Sequence, residues 1–576
     1  MNQPNSSELS RWKESFQTWL KQPGLEKDIR EELLSLWHAV ESGDMRALEE
    51  GEDRFYRELA FGTGGLRGKL GAGTNRMNGY TVEKTTRGLV SYIKKYRLGE
   101  KVAIGYDSRI QSREFGELAG RVVTQAGLNA YIYDTLMPAP ALSYATRHHG
   151  CAMGIMITAS HNPSEYNGYK VYNHRGCQVT EKEAALILDE IQKQPWFVKE
   201  EDGDTNNQQP GVFHWMGEET KEAYYQQVLG ERMDVFCENL SLVYSPLNGA
   251  GLEPVCEIFR RIQVGRFWVV PEQEAPDGHF PTCPYPNPEK PEALALALAL
   301  AEEKQADLVL ATDPDCDRVG VGVLHQGVYH LPTGNEMGLL LGDFLCRQRK
   351  EKGTLPDNPM MVRTIVTTPM LDRMVRDYGV RVEATLTGFK YIGEKIGQLE
   401  DQGRSQEFVF GFEESYGYLA GTYVRDKDGV NGVMLICEMA AWYKRRGRTL
   451  IQRLEEIYEE YGYTKNHLLD FQFPGAKGMD TMGRLMEEWR THPPGRVAGC
   501  KVEEVVDYLP GETLPPSDVV EVRLEGERGF AIRPSGTEPK LKVYLFGNGE
   551  SSEEVEVWLK NMTEFFTKWV KEKEKE

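Results

Sequence analysis

The stretch Thr158-Ala159-Ser160-His161-Asn162-Pro163 sets a serine beside two side chains that can donate hydrogen bonds to a phosphate. A serine hydroxyl is a weak nucleophile until a neighbouring base or charge activates it. The hydrolase elbow Gly-x-Ser-x-Gly is absent around Ser160. Much later, Asp313-Pro314-Asp315-Cys316-Asp317-Arg318 offers three carboxylates at alternate positions. Mg²⁺ takes oxygen ligands in near-octahedral geometry, and three aspartates on one tight loop suit one such ion. An EF-hand is excluded, because no Gly stands sixth and no Glu twelfth from Asp313. Cys316 is a bystander, since a thiol is a poor Mg²⁺ ligand, while Arg318 can pair with a loop carboxylate or a phosphate. Either loop alone would pass for a polar turn. Together they imply a phosphoryl group carried on Ser160 and moved with the help of Mg²⁺.

Four further stretches supply anion and hydroxyl binders. Phe61–Gly68 is rich in glycine, so its backbone N–H groups can approach an anion; it also holds Thr63 and Arg67 as contact candidates. Lys170 follows the phosphoserine candidate closely enough to neutralise its charge. At the end of an apolar run, Glu413 and Ser415 lie two apart and can face one way, a carboxylate and a hydroxyl suited to adjacent sugar hydroxyls. Arg533-Pro534-Ser535-Gly536-Thr537 combines a guanidinium fork, two hydroxyls and an unobstructed N–H, the composition of a phosphate clamp. Lys390, Arg425 and Lys427 could add positive lining.

These residues need elements to hold them. Residues 9–60 show helical spacing, with Trp12, Phe16, Trp19 and Leu20 on one face and Leu33, Leu34 and Trp37 on another. Strands are expected at Val102–Arg109, Ala130–Tyr133 and Gly154–Thr158, with a helix from Glu114 to Gly127 between the first two. Further strands are expected at 240–245, 308–312, 361–366, 408–412, 519–524 and 529–533. The Ala/Leu run 293–301 alternates like a strand, but its propensities and the preceding Pro291 predict a helix. The chain finishes in an amphipathic helix with Val557, Leu559, Met562, Phe565, Phe566 and Val570 on its apolar face. Alternating strand and helix indicate α/β domains, in which chemistry sits at the carboxyl ends of strands; Ser160, Asp313 and Glu413 all follow predicted strands. Boundaries are expected at the polar seams 200–211, 329–334 and 461–465.

At 576 residues the chain is long enough for about four domains. A net charge of −20 argues against nucleic acid or anionic membrane as partner, so a phosphorylated ligand would need a locally basic cleft. The nine cysteines are widely spaced with no Cys-x-x-Cys, as expected of reduced thiols in the cytoplasm. The polar start of the chain reads as no signal peptide, and no apolar run reaches the ~18 residues of a membrane span.

Five motifs in chain order, the Gly-rich arginine loop, the Ser160 loop, the aspartate loop, the Glu413/Ser415 loop and the Arg533 loop, resemble the α-D-phosphohexomutases, specifically the phosphoglucomutase branch with a long N-terminal helical arm, which also contains phosphopentomutases. The resemblance implies an α/β protein of four domains in a heart-shaped arrangement: three similar mixed-sheet domains and a smaller α+β C-terminal phosphate clamp. On this sequence they would be an arm at 1–50 and domains at 51–210, 211–328, 329–465 and 475–576. It implies that Ser160 is the phosphoserine, with His161, Lys170 and Arg67 in catalytic roles. One Mg²⁺ would sit on Asp313, Asp315, Asp317 and a phosphoserine oxygen. Glu413 and Ser415 would grip sugar hydroxyls, and Arg533, Ser535, Gly536 and Thr537 the non-reacting phosphate, with Thr63, Lys390, Arg425 and Lys427 lining the cleft. The implied reaction interconverts glucose 1-phosphate and glucose 6-phosphate through glucose 1,6-bisphosphate, in a monomer or weak dimer whose partners are small sugar phosphates; the alternatives are interconversion of ribose 1- and 5-phosphates, synthesis of hexose bisphosphates, a phosphoserine-type phosphatase and a non-catalytic sugar-phosphate binder. Tyr416 and Gly417 stand after Ser415 where some relatives carry a His, which leans towards the glucose or pentose branch.

Overall fold

The computed structural model describes residues 6–62, 64–198, 209–473, 477–534 and 540–573. Thr63, Ser535, Gly536 and Thr537, and most of the 200–211 seam, lie outside the described residues. The chain divides into two compact units. One comprises Met1–Arg232, Ser241–Val321 and Thr422–Met434; the other comprises Met233–Leu240, Gly322–Gly421 and Leu435–Glu576.

The first unit begins with the arm, helices Ser6–Leu20, Lys27–Glu41 and Met45–Phe55. Trp12, Phe16, Trp19, Leu33 and Phe55 form its core, with Trp196 and Phe197 packed against them. Leu34 is exposed rather than buried with Leu33, being one 100° helical step away from it. The first sheet contains β1 (Gly65–Lys69), β2 (Lys101–Tyr106), β3 (Asn129–Tyr133), β4 (Met153–Ile157), β5 (Tyr166–Asn173) and β6 (Phe213–Met216), in the order β1-β5-β4-β2-β3-β6. Its β4, β2, β3 and β6 run parallel; β5 pairs antiparallel with β4, and β1 antiparallel with β5. All five residues of β4 are buried, the signature of a strand covered on both faces.

The second sheet has β7 (Ser241–Ser245), β8 (Arg266–Val269), β9 (Leu308–Thr312), β10 (Val319–His325) and β11 (Val328–His330), ordered β11-β10-β9-β7-β8. The Ala/Leu run lies within helix Pro291–Lys304, as its propensities predict. β9 is buried throughout and delivers the chain into the aspartate loop.

The third sheet contains β12 (Met360–Thr364), β13 (Arg381–Thr385), β14 (Phe408–Glu413) and β15 (Gly417–Ala420), ordered β13-β12-β14-β15. The fourth is antiparallel, from β16 (Tyr463–Gln472), β17 (Arg496–Val497), β18 (Cys500–Asp507), β19 (Val520–Leu524), β20 (Arg528–Pro534) and β21 (Lys540–Gly549), in the order β16-β21-β20-β19-β18-β17. At the seam expected at 461–465 the chain leaves helix Leu450–Tyr461 and starts β16, which pairs with β21 along its whole length. One expectation is corrected. On helix Ser552–Lys573, Val557 is exposed, and Trp558 and Trp569 join Leu559, Met562, Phe566 and Val570 on the buried face.

The second unit also contains a buried ionic knot. Asp343 accepts from Arg453 Nε at 3.0 Å and Nη2 at 3.1 Å, from Tyr378 Oη at 2.9 Å and from Tyr443 Oη at 3.1 Å. Burial alone would raise the carboxyl's pKa, but the hydrogen bonds and charge of Arg453 outweigh burial and hold it below the usual range. A carboxylate lowered on folding stabilises above its unfolded pKa, and that contribution is lost as pH falls through the folded value. Asp343→Asn removes the buried counter-charge of Arg453, leaving it the less buried Glu456 at 3.1 Å from Nη1, and is expected to cost about 3 kcal/mol. Urea unfolding would show this as a lower midpoint, with a shallower decline below about pH 4 than in the parent.

Candidate active site

Ser160 lies in the loop after β4, is 3 % exposed and adopts φ +51°, a left-handed conformation that non-glycine residues seldom take. Its N–H donates to Thr158 Oγ1 at 2.8 Å. Its Oγ donates to Asp313 Oδ2 at 2.9 Å and lies 3.2 Å from His161 Nδ1. The serine loop and the aspartate loop, separate in sequence, are therefore in hydrogen-bond contact. Burial first, then Arg318 and Arg67, push His161 well below its ordinary range, so it is a neutral imidazole.

Asp313, Asp315 and Asp317 are fully buried, and their ligand atoms lie within 4.8 Å of one another. The loop is shaped by close packing: a Cβ on Gly249 would meet Pro314 Cα at 2.5 Å, and one on Gly429 would meet Cys316 O at 2.6 Å. Asp313 Oδ1 accepts the N–H groups of Asp317 and Arg318 at 3.1 and 3.0 Å. Two lysines reach in from other segments. Lys170, on β5, puts Nζ 2.7 Å from Asp315 Oδ2, and Lys427 puts Nζ 2.7 Å from Asp317 Oδ2. The buried atoms Asp315 Oδ1 and Asp317 Oδ1 accept no hydrogen bond from any described residue.

The electrostatics follow from three carboxylates and two ammoniums in a buried volume. Burial, then Asp315 and Asp317, drive Asp313 well above the usual carboxylate range, and burial followed by Asp315 raises Asp317. Asp315 goes the other way: burial opposes it, but the charge and hydrogen bond of Lys170 hold it low. For Lys170 itself, burial is outweighed by Asp315 and Asp317, which keep the ammonium protonated. The loop therefore crowds three carboxylates into a buried volume, and the oxygens Asp315 Oδ1 and Asp317 Oδ1 meet no donor among the described residues. Both features fit a hard dication. The Cys316 thiol, buried and beside carboxylates, is pushed well above its ordinary range, and a thiol is a poor partner for a hard cation.

Arg67, on β1, donates from Nη1 to Asn162 Oδ1 at 2.9 Å and so reaches the serine loop. Arg425, read from sequence as lining, is 1 % exposed and donates to the carbonyls of Thr422 and Val424, bracing the segment that carries Lys427. Lys427 is steadied by Asp426, 3.5 Å away, which in turn accepts from Tyr172 Oη at 2.7 Å and Gln178 Nε2 at 3.0 Å.

The other candidates belong to the second unit. Glu413 ends β14 and accepts the N–H of Gly388 at 2.9 Å. Glu414 accepts from Thr364 and Thr367 Oγ1 at 3.4 and 3.2 Å, and Tyr416 takes φ +64°, which turns the chain sharply after Ser415. Lys390 Nζ lies 4.9 Å from the Tyr391 ring centre. Arg533 lies near the end of β20, close to Tyr544, whose hydroxyl is pushed up by burial first and then by Glu414.

Sequence reading missed three residues of the serine loop's support: Asp107, Arg109 and Thr158. A signal existed for the first two, a polar Asp-Ser-Arg directly after the β2 run.

The fold and the paired loops define a phosphosugar mutase class. Three family models match in order: phosphoglucomutase/phosphomannomutase α/β/α domain I at residues 58–196, domain II at 222–326 and domain III at 333–461. The chain belongs to the phosphoglucomutase/phosphomannomutase family. It is 34 % identical over 512 residues to the phosphoglucomutase of Staphylococcus aureus (strain bovine RF122 / ET3-1), covering 86 % of this chain and 91 % of that protein. The phosphoglucomutase of Staphylococcus haemolyticus is likewise 34 % identical over 520 residues, 88 % and 93 % of the two chains. Among solved structures, a putative phosphomannomutase from Thermus thermophilus shares the fold with TM-score 0.67 and 23 % identity, covering 89 % of this chain and 99 % of that one. The Paramecium parafusin (a phosphoglucomutase), in its open form, gives TM-score 0.68 at 18 % identity, with 88 % and 95 % covered.

Proposed function

We propose that the protein is a Mg²⁺-dependent phosphoglucomutase, interconverting glucose 1-phosphate and glucose 6-phosphate through a phosphoserine at 160 and glucose 1,6-bisphosphate. The observation that carries this reading is the 2.9 Å contact of Ser160 Oγ with Asp313 inside a buried aspartate cluster. Family membership and relatives described as phosphoglucomutases support the choice of sugar.

In the first half-reaction the bond from phosphorus to Ser160 Oγ breaks as a new bond forms to the free sugar hydroxyl. The proton that leaves this hydroxyl is the one Ser160 Oγ regains, so no other reactant is needed. Such transfers depend on positioning and charge neutralisation rather than a strong nucleophile. Lys170 brings positive charge to the aspartate loop, 2.7 Å from Asp315 Oδ2 and 3.6 Å from Asp317 Oδ2, and with Arg67 is a candidate for the acid–base role. His161, neutral and 3.2 Å from Oγ, is placed to carry the proton. Arg67 orients Asn162 on the same loop. Bound by Asp313, Asp315 and Asp317, Mg²⁺ would supply charge neutralisation at the transferring group. Glu413 and Ser415 hold sugar hydroxyls, Lys390 adds positive lining, and Arg533 with Ser535, Gly536 and Thr537 holds the phosphate that does not react. After the bisphosphate turns over, its other phosphoryl group returns to Ser160 Oγ. Nine buried cysteines that form no disulfide among the described residues support a reducing, cytoplasmic setting, and no helix among the described residues is long and apolar enough to cross a membrane.

Initial rates with glucose 1-phosphate, mannose 1-phosphate and ribose 1-phosphate, each with Mg²⁺ and its bisphosphate primer, test the assignment. The kcat/KM for glucose 1-phosphate is expected to exceed the others at least about tenfold, ~1.4 kcal/mol in transition-state binding. A preference for ribose 1-phosphate would make the protein a phosphopentomutase, and release of inorganic phosphate at comparable rates would make it a phosphatase.

A further inference from the structure

The serine loop is held by a residue that belongs to none of the recognised motifs. Arg109 follows β2 in the stretch Asp107-Ser108-Arg109 and is 3 % exposed. Its guanidinium crosses to the loop after β4 and serves four main-chain carbonyls there. Nη2 donates to Ser160 O and Asn162 O, and Nη1 donates to Pro163 O and Tyr166 O at 2.9 Å each. Asp107 orders the same assembly. Its Oδ1 accepts the Arg109 N–H at 3.0 Å and Ser112 Oγ at 2.8 Å, while Oδ2 accepts Thr158 Oγ1 at 2.6 Å. Thr158 Oγ1 in turn accepts the Ser160 N–H at 2.8 Å. The peptide groups on both sides of Ser160 Cα are thereby fixed, at a residue whose φ of +51° would otherwise relax to an ordinary value.

The second domain closes over this clamp. The Phe280 ring lies 5.0 Å from the Arg109 guanidinium carbon. Gly278 packs so tightly that a Cβ there would meet Ile110 N at 2.4 Å and Arg109 C at 2.7 Å. Only a planar fork with several donors can serve four carbonyls at once; a lysine ammonium has three donors from one point. Burying a guanidinium is unfavourable, and here Asp107 approaches its Nε only to 3.6 Å. That unfavourable burial is directed onto the loop that carries Ser160.

We propose that Arg109 is a positioning residue for phosphoryl transfer: it holds the Ser160 peptide so that Oγ stays beside Asp313, and it sets the transfer rate without touching substrate. The inference rests on Ser160 being the phosphoryl carrier. A purely structural brace would instead change stability and leave the chemistry of folded molecules intact.

The test uses the full-length protein with Arg109→Lys, Arg109→Ala and Thr158→Val, the last removing only the hydroxyl that links Asp107 to the Ser160 N–H. The readouts are kcat, KM, thermal midpoint, and the single-turnover rate at which Ser160 is phosphorylated by glucose 1,6-bisphosphate. A displacement of about 1 Å costs about 100-fold in rate, so Arg109→Lys should lose about that factor in kcat and in Ser160 phosphorylation, with KM unchanged. Thr158→Val should shift both rates in the same direction and carries the test if Arg109→Ala does not fold. Added guanidinium ion should restore part of the rate in Arg109→Ala. Wild-type rates of Ser160 phosphorylation in folded Arg109→Lys and Thr158→Val would overturn the proposal. Absence of phosphate on Ser160 in the wild-type protein would overturn the reading on which it rests.

Discussion

Ser160→Ala is expected to lower kcat by about 10⁴-fold or more, ~5.5 kcal/mol in activation free energy, while the protein remains folded. The two halves of this expectation have separate causes. The rate falls because the alanine has no oxygen to carry a phosphoryl group, and none of the neighbouring side chains can replace it. His161 is held beside the Oγ position rather than in it, and Lys170 is kept as an ammonium by Asp315. The fold survives because only one hydroxyl is removed. Its hydrogen bond to Asp313 contributes at most about 1.5–3 kcal/mol, and Asp313 Oδ1 keeps the N–H groups of Asp317 and Arg318. Circular dichroism and a thermal scan would confirm folding, and mass spectrometry would report the missing phosphoserine. Turnover near the wild-type rate in this variant would refute a phosphoserine mechanism.

The second large effect is expected at Asp315. Its Oδ1 is buried without a partner, while its Oδ2 anchors Lys170. Asp315→Asn keeps the volume but removes one charge from the cluster and weakens the hold on Lys170, whose next carboxylate, Asp317, is 3.6 Å away. Loss of an electrostatic contact of this kind costs about 10²–10³-fold in kcat, ~3–4 kcal/mol. Isothermal titration with Mg²⁺ should show weaker binding in the same variant, and kcat at saturating Mg²⁺ should remain depressed because Lys170 is displaced as well. If Asp315→Asn bound Mg²⁺ as tightly as the parent, Asp315 would not be a ligand.

Local chemistry made much of this protein readable before any fold was known. Buried parallel strands such as β4 and β9 are continuous apolar runs, so their positions, and the functional loops at their ends, show in sequence. The helix at Pro291–Lys304 was decided by propensity against a misleading alternation. By contrast β16, an edge strand with only Leu469 buried, has little apolar pattern to detect and looks like a linker. The residues of the two central motifs were likewise legible, because a hard cation and a phosphate each demand particular side chains at short spacing.

What the tertiary structure decided is which of these residues meet. Ser160 touches Asp313, Lys170 binds Asp315 and Lys427 binds Asp317, each across a long stretch of chain. Arg425, equally basic and two residues from Lys427, turns instead to the carbonyls of its own loop. Arg109 acquires its role only because β2 and β4 are neighbours in the first sheet, which brings its guanidinium over the loop that follows β4. The physical reason is one of range. Residue type, spacing and periodicity express interactions between near neighbours in sequence, whereas the charge balance of the aspartate cluster and the posture of Ser160 depend on packing between strands and loops that no local pattern records.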